Sequence, residues 1–143
     1  MNQTMEKFGA PESCIKEYAH WMVLLRPQQV TLGSLVLVCN EPVTTFAAVS
    51  SQAFAELHGV VGAIEGALKR LFEYERINYL MLMMVDPDVH FHVIPRYSSH
   101  REFSGQQFHD SSWPGPPDLS RINQTEASTN RTIRDSLKTA WQK

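Results

Sequence analysis

The sequence predicts an α+β domain in which two antiparallel strand pairs flank one long helix, followed by a C-terminal loop and helix. Three observations carry this. Apolar runs of strand length stand at residues 18–25, 35–39, 78–85 and 90–97. Between the second and third, apolar residues recur at three- and four-residue spacing over more than twenty positions, the mark of an amphipathic helix. The order strand pair, helix, strand pair fits an antiparallel sheet packed against a helix.

Each element has its own signals. Residues 1–13 read as a loose lead-in. The run through Trp21, Met22, Val23 and Leu24 reads as a strand that Arg26-Pro27 closes, because proline cannot donate to a ladder. A turn segment ending at Gly33 leads to Leu35-Val36-Leu37-Val38-Cys39, a strand stopped by Asn40-Glu41-Pro42. Ser50-Ser51 offers an N-cap. Phe54, Leu57, Val61, Ile64, Leu68, Leu71 and Phe72 then mark the apolar face of a helix reaching about Tyr74. Gly59, Gly62 and Gly66 lie inside it, each costing about 1 kcal/mol against alanine, and are read as sites of close packing on the sheet. Residues 78–85 are apolar on both faces and predict a central strand covered on both sides. Asp86-Pro87-Asp88 is a turn, and residues 90–97 return beside the preceding strand, stopped near Pro95. Residues 98–128 are rich in Ser, Gly and Pro and read as a long irregular segment. Thr129 or Asn130 caps a last helix reaching about Trp141.

The 143 residues, 43% hydrophobic and 20% charged, make one domain with its core at about 14–100 and a C-terminal loop and helix at 101–143. A net charge of −2 lacks the basic footprint of a nucleic-acid binder. No run reaches the ~18–20 apolar residues that span a bilayer, so no membrane partner is expected. Two cysteines, Cys14 and Cys39, do not make a disulfide framework and point to a reducing, cytoplasmic setting.

The chemistry concentrates in Asp88-Val89-His90-Phe91-His92-Val93-Ile94-Pro95-Arg96. Strand side chains alternate, so Val89, Phe91 and Val93 face a core while Asp88, His90 and His92 share the other face, neighbours about 6.5–7 Å apart. Imidazole titrates near neutrality and serves as nucleophile, acid or base. Three readings stay open on the residues alone. They are catalysis by the histidine pair, a metal site with a further ligand from His58, His100 or His109, and a solvated sheet face with no chemistry. No His-Glu-x-x-His or Cys-x-x-Cys spacing supports the metal reading.

The run His90-Phe91-His92-Val93-Ile94-Pro95-Arg96 resembles the signature of the histidine-triad (HIT) family of nucleotide hydrolases and transferases. Gly33-Ser34-Leu35-Val36-Leu37-Val38 is similar to the Pro-Gly-His-x-Leu-Val segment of that family, and Glu41-Pro42, Phe46 and the long helix follow in order. The resemblance covers roughly residues 18–100. It implies a HIT-like fold of about five antiparallel strands on one long helix, a homodimer, and no required cofactor or metal. It also implies cleavage of a dinucleoside polyphosphate or related nucleotide conjugate through a nucleotidyl-histidine intermediate. His90 matches the nucleophile and His92 the histidine that assists at the phosphate. The alternative is a nucleotide-binding module with little or no catalysis.

Departures from the pattern are specific. Asp88 stands at the first triad histidine, where an ionised carboxylate repels phosphate unless it turns to a basic partner. Ser34 replaces the histidine after the glycine, and Arg26 stands where a ribose-binding asparagine is often found. The family's glycine- and glutamine-bearing loop before the triad has no counterpart in a reading that leaves only Asp86-Pro87 between the central strand and Asp88. Arg26, Ser34 and Arg96 are the expected nucleotide-binding positions. Arg101 reads as a surface arginine, and Trp113 either reaches the site or packs the tail.

Overall fold

A computed structural model describes residues 1–141; the last two positions of the predicted tail lie outside it. In chain order the elements are α1 (Gln3–Lys7), β1 (Cys14–Glu17), β2 (Trp21–Leu25), β3 (Leu35–Cys39), a 3-10 turn (Phe46–Ala48), α2 (Ser51–Phe72), β4 (Arg76–Leu80), β5 (His90–Arg96), β6 (Arg101–Phe103), β7 (Gln106–Phe108) and α3 (Ala127–Ala140). The first five strands form one antiparallel sheet in the order β1-β2-β3-β5-β4, and β6-β7 is a separate hairpin. The two predicted strand pairs are real, and β3 joins them by pairing with β5.

The sheet has two covered faces. On one, Trp21, Val23, Leu25, Leu35, Leu37 and Val93 meet Val60, Ile64, Leu68 and Phe72 of α2. Each fully buried aliphatic side chain contributes about 1.5–3 kcal/mol. Trp21 adds an indole N–H donated to Ala53 O at 2.8 Å, which fixes the start of α2 against β2. Ser50 caps that helix as predicted, its hydroxyl accepting from Ala53 N at 3.1 Å. The helix ends at Phe72, where Glu73 takes a left-handed conformation. Gly33 closes the β2–β3 loop with φ +87°, and a Cβ there would stand 2.9 Å from Leu68 Cδ2.

The second face holds Met22, Leu24, Val36 and Val38, and here the chain's opening residues matter. The lead-in is not loose. Asn2 caps α1 by accepting from Met5 N, and Met5 and Phe8 pack onto those four side chains. A further strand, β1, precedes the predicted first strand, which itself begins only at Trp21 because Tyr18 N donates to Trp21 O across a turn.

Other expectations change. Residues 78–85 are not a central strand: β4 is the sheet's edge and stops at Leu80, and residues 81–89 form a loop. Hydropathy alone cannot distinguish a doubly covered strand from an edge strand followed by an apolar loop. β5 runs through Pro95 to Arg96. The Pro95 carbonyl accepts from Thr31 Oγ1 at 2.6 Å, so the missing N–H faces the side where β3 has already ended. Gly59 and Gly62 have nothing within 4 Å of a built Cβ, so they do not pack on the sheet. The buried stripe of α2 keeps the predicted Ile64, Leu68 and Phe72, adds Ala53, Val60 and Ala67, and leaves Phe54 and Leu71 exposed. The segment after residue 98 contains the β6-β7 hairpin, turned by Ser104 and Gly105 with φ of 53° and 78°. α3 starts two residues before its predicted cap, at Ala127, and Trp141 Nε1 ties its end to Tyr18 Oη at 2.7 Å.

Candidate active site

β5 lies between β3 and β4, and register places His90 opposite Val38 and His92 opposite Val36. Both imidazoles therefore stand on the face that α1 covers. They are 1% and 6% exposed, which removes the reading of a solvated sheet face. Their ring centroids are 5.1 Å apart, and Phe8 meets the His92 ring edge-on at 5.7 Å.

His90 is oriented by the backbone. Its Nδ1 lies 2.7 Å from the carbonyl oxygen of Asp88. A carbonyl only accepts, so Nδ1 donates to it, and in the neutral ring the lone pair then lies on Nε2. His92 Nδ1 is buried without a protein partner. Burial, then the charges of His90 and Arg26, push the His92 imidazole down to about 4, so it is neutral at physiological pH.

The Asp88 carboxylate does not turn to a histidine. It accepts from Thr4 Oγ1 at 2.8 Å and Thr4 N at 3.2 Å, holding the first turn of α1. The triad position that carries Asp88 thus presents a backbone carbonyl to His90 and a carboxylate to the N-terminal helix. Lys7 and Asp86 add a second tie at 2.8 Å.

The histidines line a cavity of about 360 Å³ with Lys7, Phe8, Arg26, Gln28, Asp86 and Leu119, and with the loop residues Leu82, Met83, Met84 and Val85. Arg26 is 8% exposed; its Nη1 donates to Gln28 O, whereas its Nε has no partner. Burial lowers its pKa from the ordinary value. Arg26 thus places a guanidinium at the wall of the histidine cavity, with its unpartnered Nε buried behind it.

The other two expected binding residues lie elsewhere. Ser34 is fully buried in the β2–β3 loop, where its hydroxyl accepts from Thr31 N and donates to Thr31 O. All three nitrogens of the Arg96 guanidinium are engaged: Asp110 takes two donors at 2.7 and 3.0 Å, Asn78 Oδ1 a third bond at 2.8 Å, and Gly115 O another at 2.9 Å. It straps the 110–117 segment to the sheet. Trp113 lies in that segment and lines a separate groove along β4 with Arg96, outside the histidine cavity. Arg101 donates to Phe72 O and Glu73 O, caring for the carbonyl end of α2. Among the described residues no three His, Cys, Asp or Glu side chains converge as a metal set. His100 pairs only with His109, centroids 5.9 Å apart, and His58 is exposed on α2.

Sequence reasoning missed Phe8, Lys7 and the loop 81–85 as parts of the site. Phe8 and Lys7 are brought in by contacts across some eighty residues, which no local pattern encodes. The loop was hidden inside an apolar run read as strand.

No family model matches the sequence, and none of the curated proteins matches it. Solved structures do. A histidine triad protein of Bradyrhizobium japonicum superposes with a TM-score of 0.75 at 16% identity, over 99% of this chain and 97% of that one. A histidine triad protein of Sinorhizobium meliloti gives 0.76 at 19%, over 98% and 95%. One from Marinobacter aquaeolei gives 0.72 at 20%, over 99% and 96%. The fold is that of the histidine triad proteins, and the similarity extends over the N-terminal helix and the C-terminal segment as well as the sheet.

Proposed function

We propose that this protein is a nucleotide hydrolase or nucleotidyl transferase of the histidine-triad type, with His90 as nucleophile. The single observation that carries the reading is the His90 Nδ1 to Asp88 carbonyl bond, which makes Nε2 the nucleophilic nitrogen of the neutral ring. The reaction balances as follows. The Nε2 lone pair forms a bond to the phosphorus of a nucleoside 5′-phosphoryl group. The bond from phosphorus to the leaving group breaks, its electron pair departs with that group, and solvent supplies the proton. Water then attacks the nucleotidyl-histidine, a proton is released, and the N–P electron pair returns to His90. Arg26, at the cavity wall, stabilises the charge on the phosphoryl oxygens, and neutral His92 donates or accepts beside it. Asp88 acts through the backbone of its own residue and by holding α1. No cofactor enters this scheme. Dinucleoside polyphosphates and related nucleotide conjugates are the substrate classes to screen.

We also propose a homodimer. The outer edge of β4 is unpaired within the chain, and α2 presents Phe54, Leu57, His58, Val61 and Gly62 around a shallow hollow. A second copy would cover both. Phe54→Lys should then shift the mass measured by light scattering to that of one chain.

The catalytic reading is tested with His90→Asn and wild type, incubated with a panel of nucleotide conjugates and quenched for intact-mass measurement. Wild type should release a nucleoside monophosphate and carry a transient nucleotidyl mass; His90→Asn should do neither while keeping its melting temperature within a few degrees. Full turnover by the variant would remove His90 from the mechanism. A second reading, binding without turnover, is favoured by the 1% exposure of His90. It is the outcome if conjugates bind and no monophosphate appears.

A further inference from the structure

We propose that His100 and His109 form a two-histidine chelate for a first-row divalent ion of the nickel, copper and zinc group. The site lies outside the histidine cavity and is independent of the hydrolase reading. Of the six histidines, His90 and His92 share the cavity, His20 Nδ1 stands 3.3 Å from Glu41 Oε2, and His58 is exposed on α2. His100 and His109 are both exposed, and their imidazoles stand side by side with centroids 5.9 Å apart.

The register of the β6-β7 hairpin brings the pair together. Arg101 pairs with Phe108, Glu102 with Gln107 and Phe103 with Gln106, so one step outward His100 stands opposite His109. Alternation sorts the hairpin into two faces. Phe103 and Phe108 turn inward, where Phe108 is buried and Phe103 meets Phe72 edge-on at 5.7 Å. His100, Glu102, Gln107 and His109 share the other face, and all four are exposed. Opposed residues on one face of a strand pair have Cβ atoms about 4.5–5.5 Å apart, a spacing from which two imidazoles reach one ion.

The backbone beneath both rings is anchored. His109 N donates to Asn123 Oδ1 at 2.9 Å, and His109 O accepts from Asn123 Nδ2 at 3.0 Å. Asn123 is in turn bridged to Gln29, its N donating to Gln29 O at 2.8 Å. On the other strand Arg101, next to His100, donates to Phe72 O and Glu73 O and lies over the Tyr97 ring at 4.8 Å. An arriving ion therefore has two side chains to order rather than two strands, which keeps the cost of binding low.

The distances suit a shared ion. A metal–imidazole nitrogen bond is about 2.0–2.1 Å, which puts two ring centroids about 4.5 Å apart at a right-angled ion and about 5.2 Å apart at a tetrahedral one. The 5.9 Å observed is wider by about 1 Å, a gap that rotation about the broad terminal torsion of exposed histidine closes. Imidazole nitrogen favours nickel, copper and zinc, whereas magnesium and calcium favour oxygen. Among the described residues no third His, Cys, Asp or Glu joins the pair, so water fills the remaining positions.

The test titrates the untagged full chain with nickel chloride, followed by calorimetry and by amide NMR. One nickel ion should bind per chain with a micromolar Kd, and magnesium should give no heat. His100→Ala and His109→Ala should each weaken nickel binding by about tenfold or more while keeping the melting temperature within a few degrees, since both side chains are exposed. The paramagnetic ion should broaden the amide signals of residues 99–110 first and leave those of residues 89–94 sharp. Nickel bound as tightly by both variants as by wild type, broadening centred on residues 89–94, or no binding at millimolar nickel would each overturn the proposal.

Discussion

Replacing Arg96 by methionine separates two roles that the Ile94-Pro95-Arg96 run leaves open. Arg96 is 4% exposed and makes four hydrogen bonds, to both oxygens of Asp110, to Asn78 Oδ1 and to Gly115 O. Its ion pair with Asp110 has side chains only 5% and 3% exposed. Methionine fills the aliphatic part of the space but leaves a buried carboxylate without its partner. Breaking a buried pair from one side costs about 3–5 kcal/mol. For a chain of this length, 1 kcal/mol moves the midpoint by about 3–4 °C, so the expected loss is about 9–20 °C in a thermal melt followed by circular dichroism. Arg96→Met combined with Asp110→Leu should recover most of it, because removing both charges together is close to neutral. Measured well below the midpoint, KM for a substrate that wild type accepts should stay within about twofold. An unchanged midpoint with KM raised tenfold would refute the reasoning and put Arg96 at the phosphate.

Three further outcomes follow from the same structure. His92 has a folded pKa of about 4 against an ordinary value near 6.5. Below 6.5 the unfolded chain takes up a proton that the folded chain refuses, so stability falls with pH between about 6.5 and 4. The full loss is about 3 kcal/mol; His92→Phe should flatten that part of the melting-temperature profile. Gly33→Ala meets both a positive φ and a Leu68 methyl at 2.9 Å, and should lower stability by about 2–4 kcal/mol in urea titration. Asp88→Ala removes the acceptor of two Thr4 bonds and should speed amide exchange over residues 3–8 at least tenfold, with β3 and β5 unchanged.

The legible parts of the fold were those set by local repetition. Ser50 capped its helix, the period of α2 gave its length, and alternation in β5 sorted Phe91 and Val93 from His90 and His92. What the residues concealed were decisions made at a distance. Phe54 fits the helical stripe by its spacing yet is exposed, while its neighbour Ala53 is buried where the Trp21 indole meets the helix. Leu80 and Leu82 look alike in sequence, yet the first closes an edge strand and the second rims a cavity. Gln29 was read as a turn residue. Its buried amide in fact ties Arg26 O, Ser34 O and Gly33 N together and fixes the loop from which Arg26 departs. Asp88 is the plainest case, because its role depends on Thr4, which no spacing rule connects to it.

The docking of α1 also bears on how the site comes into being. A five-residue helix has no stability alone, and its anchors at Asp86 and Asp88 lie 79 and 84 positions further on. Residues 2–9 leave the ribosome long before the surface that receives them exists, and they must stay unpaired until β5 has entered the sheet. The histidine chamber is therefore closed late in folding, by a segment made some eighty residues before the strand it covers.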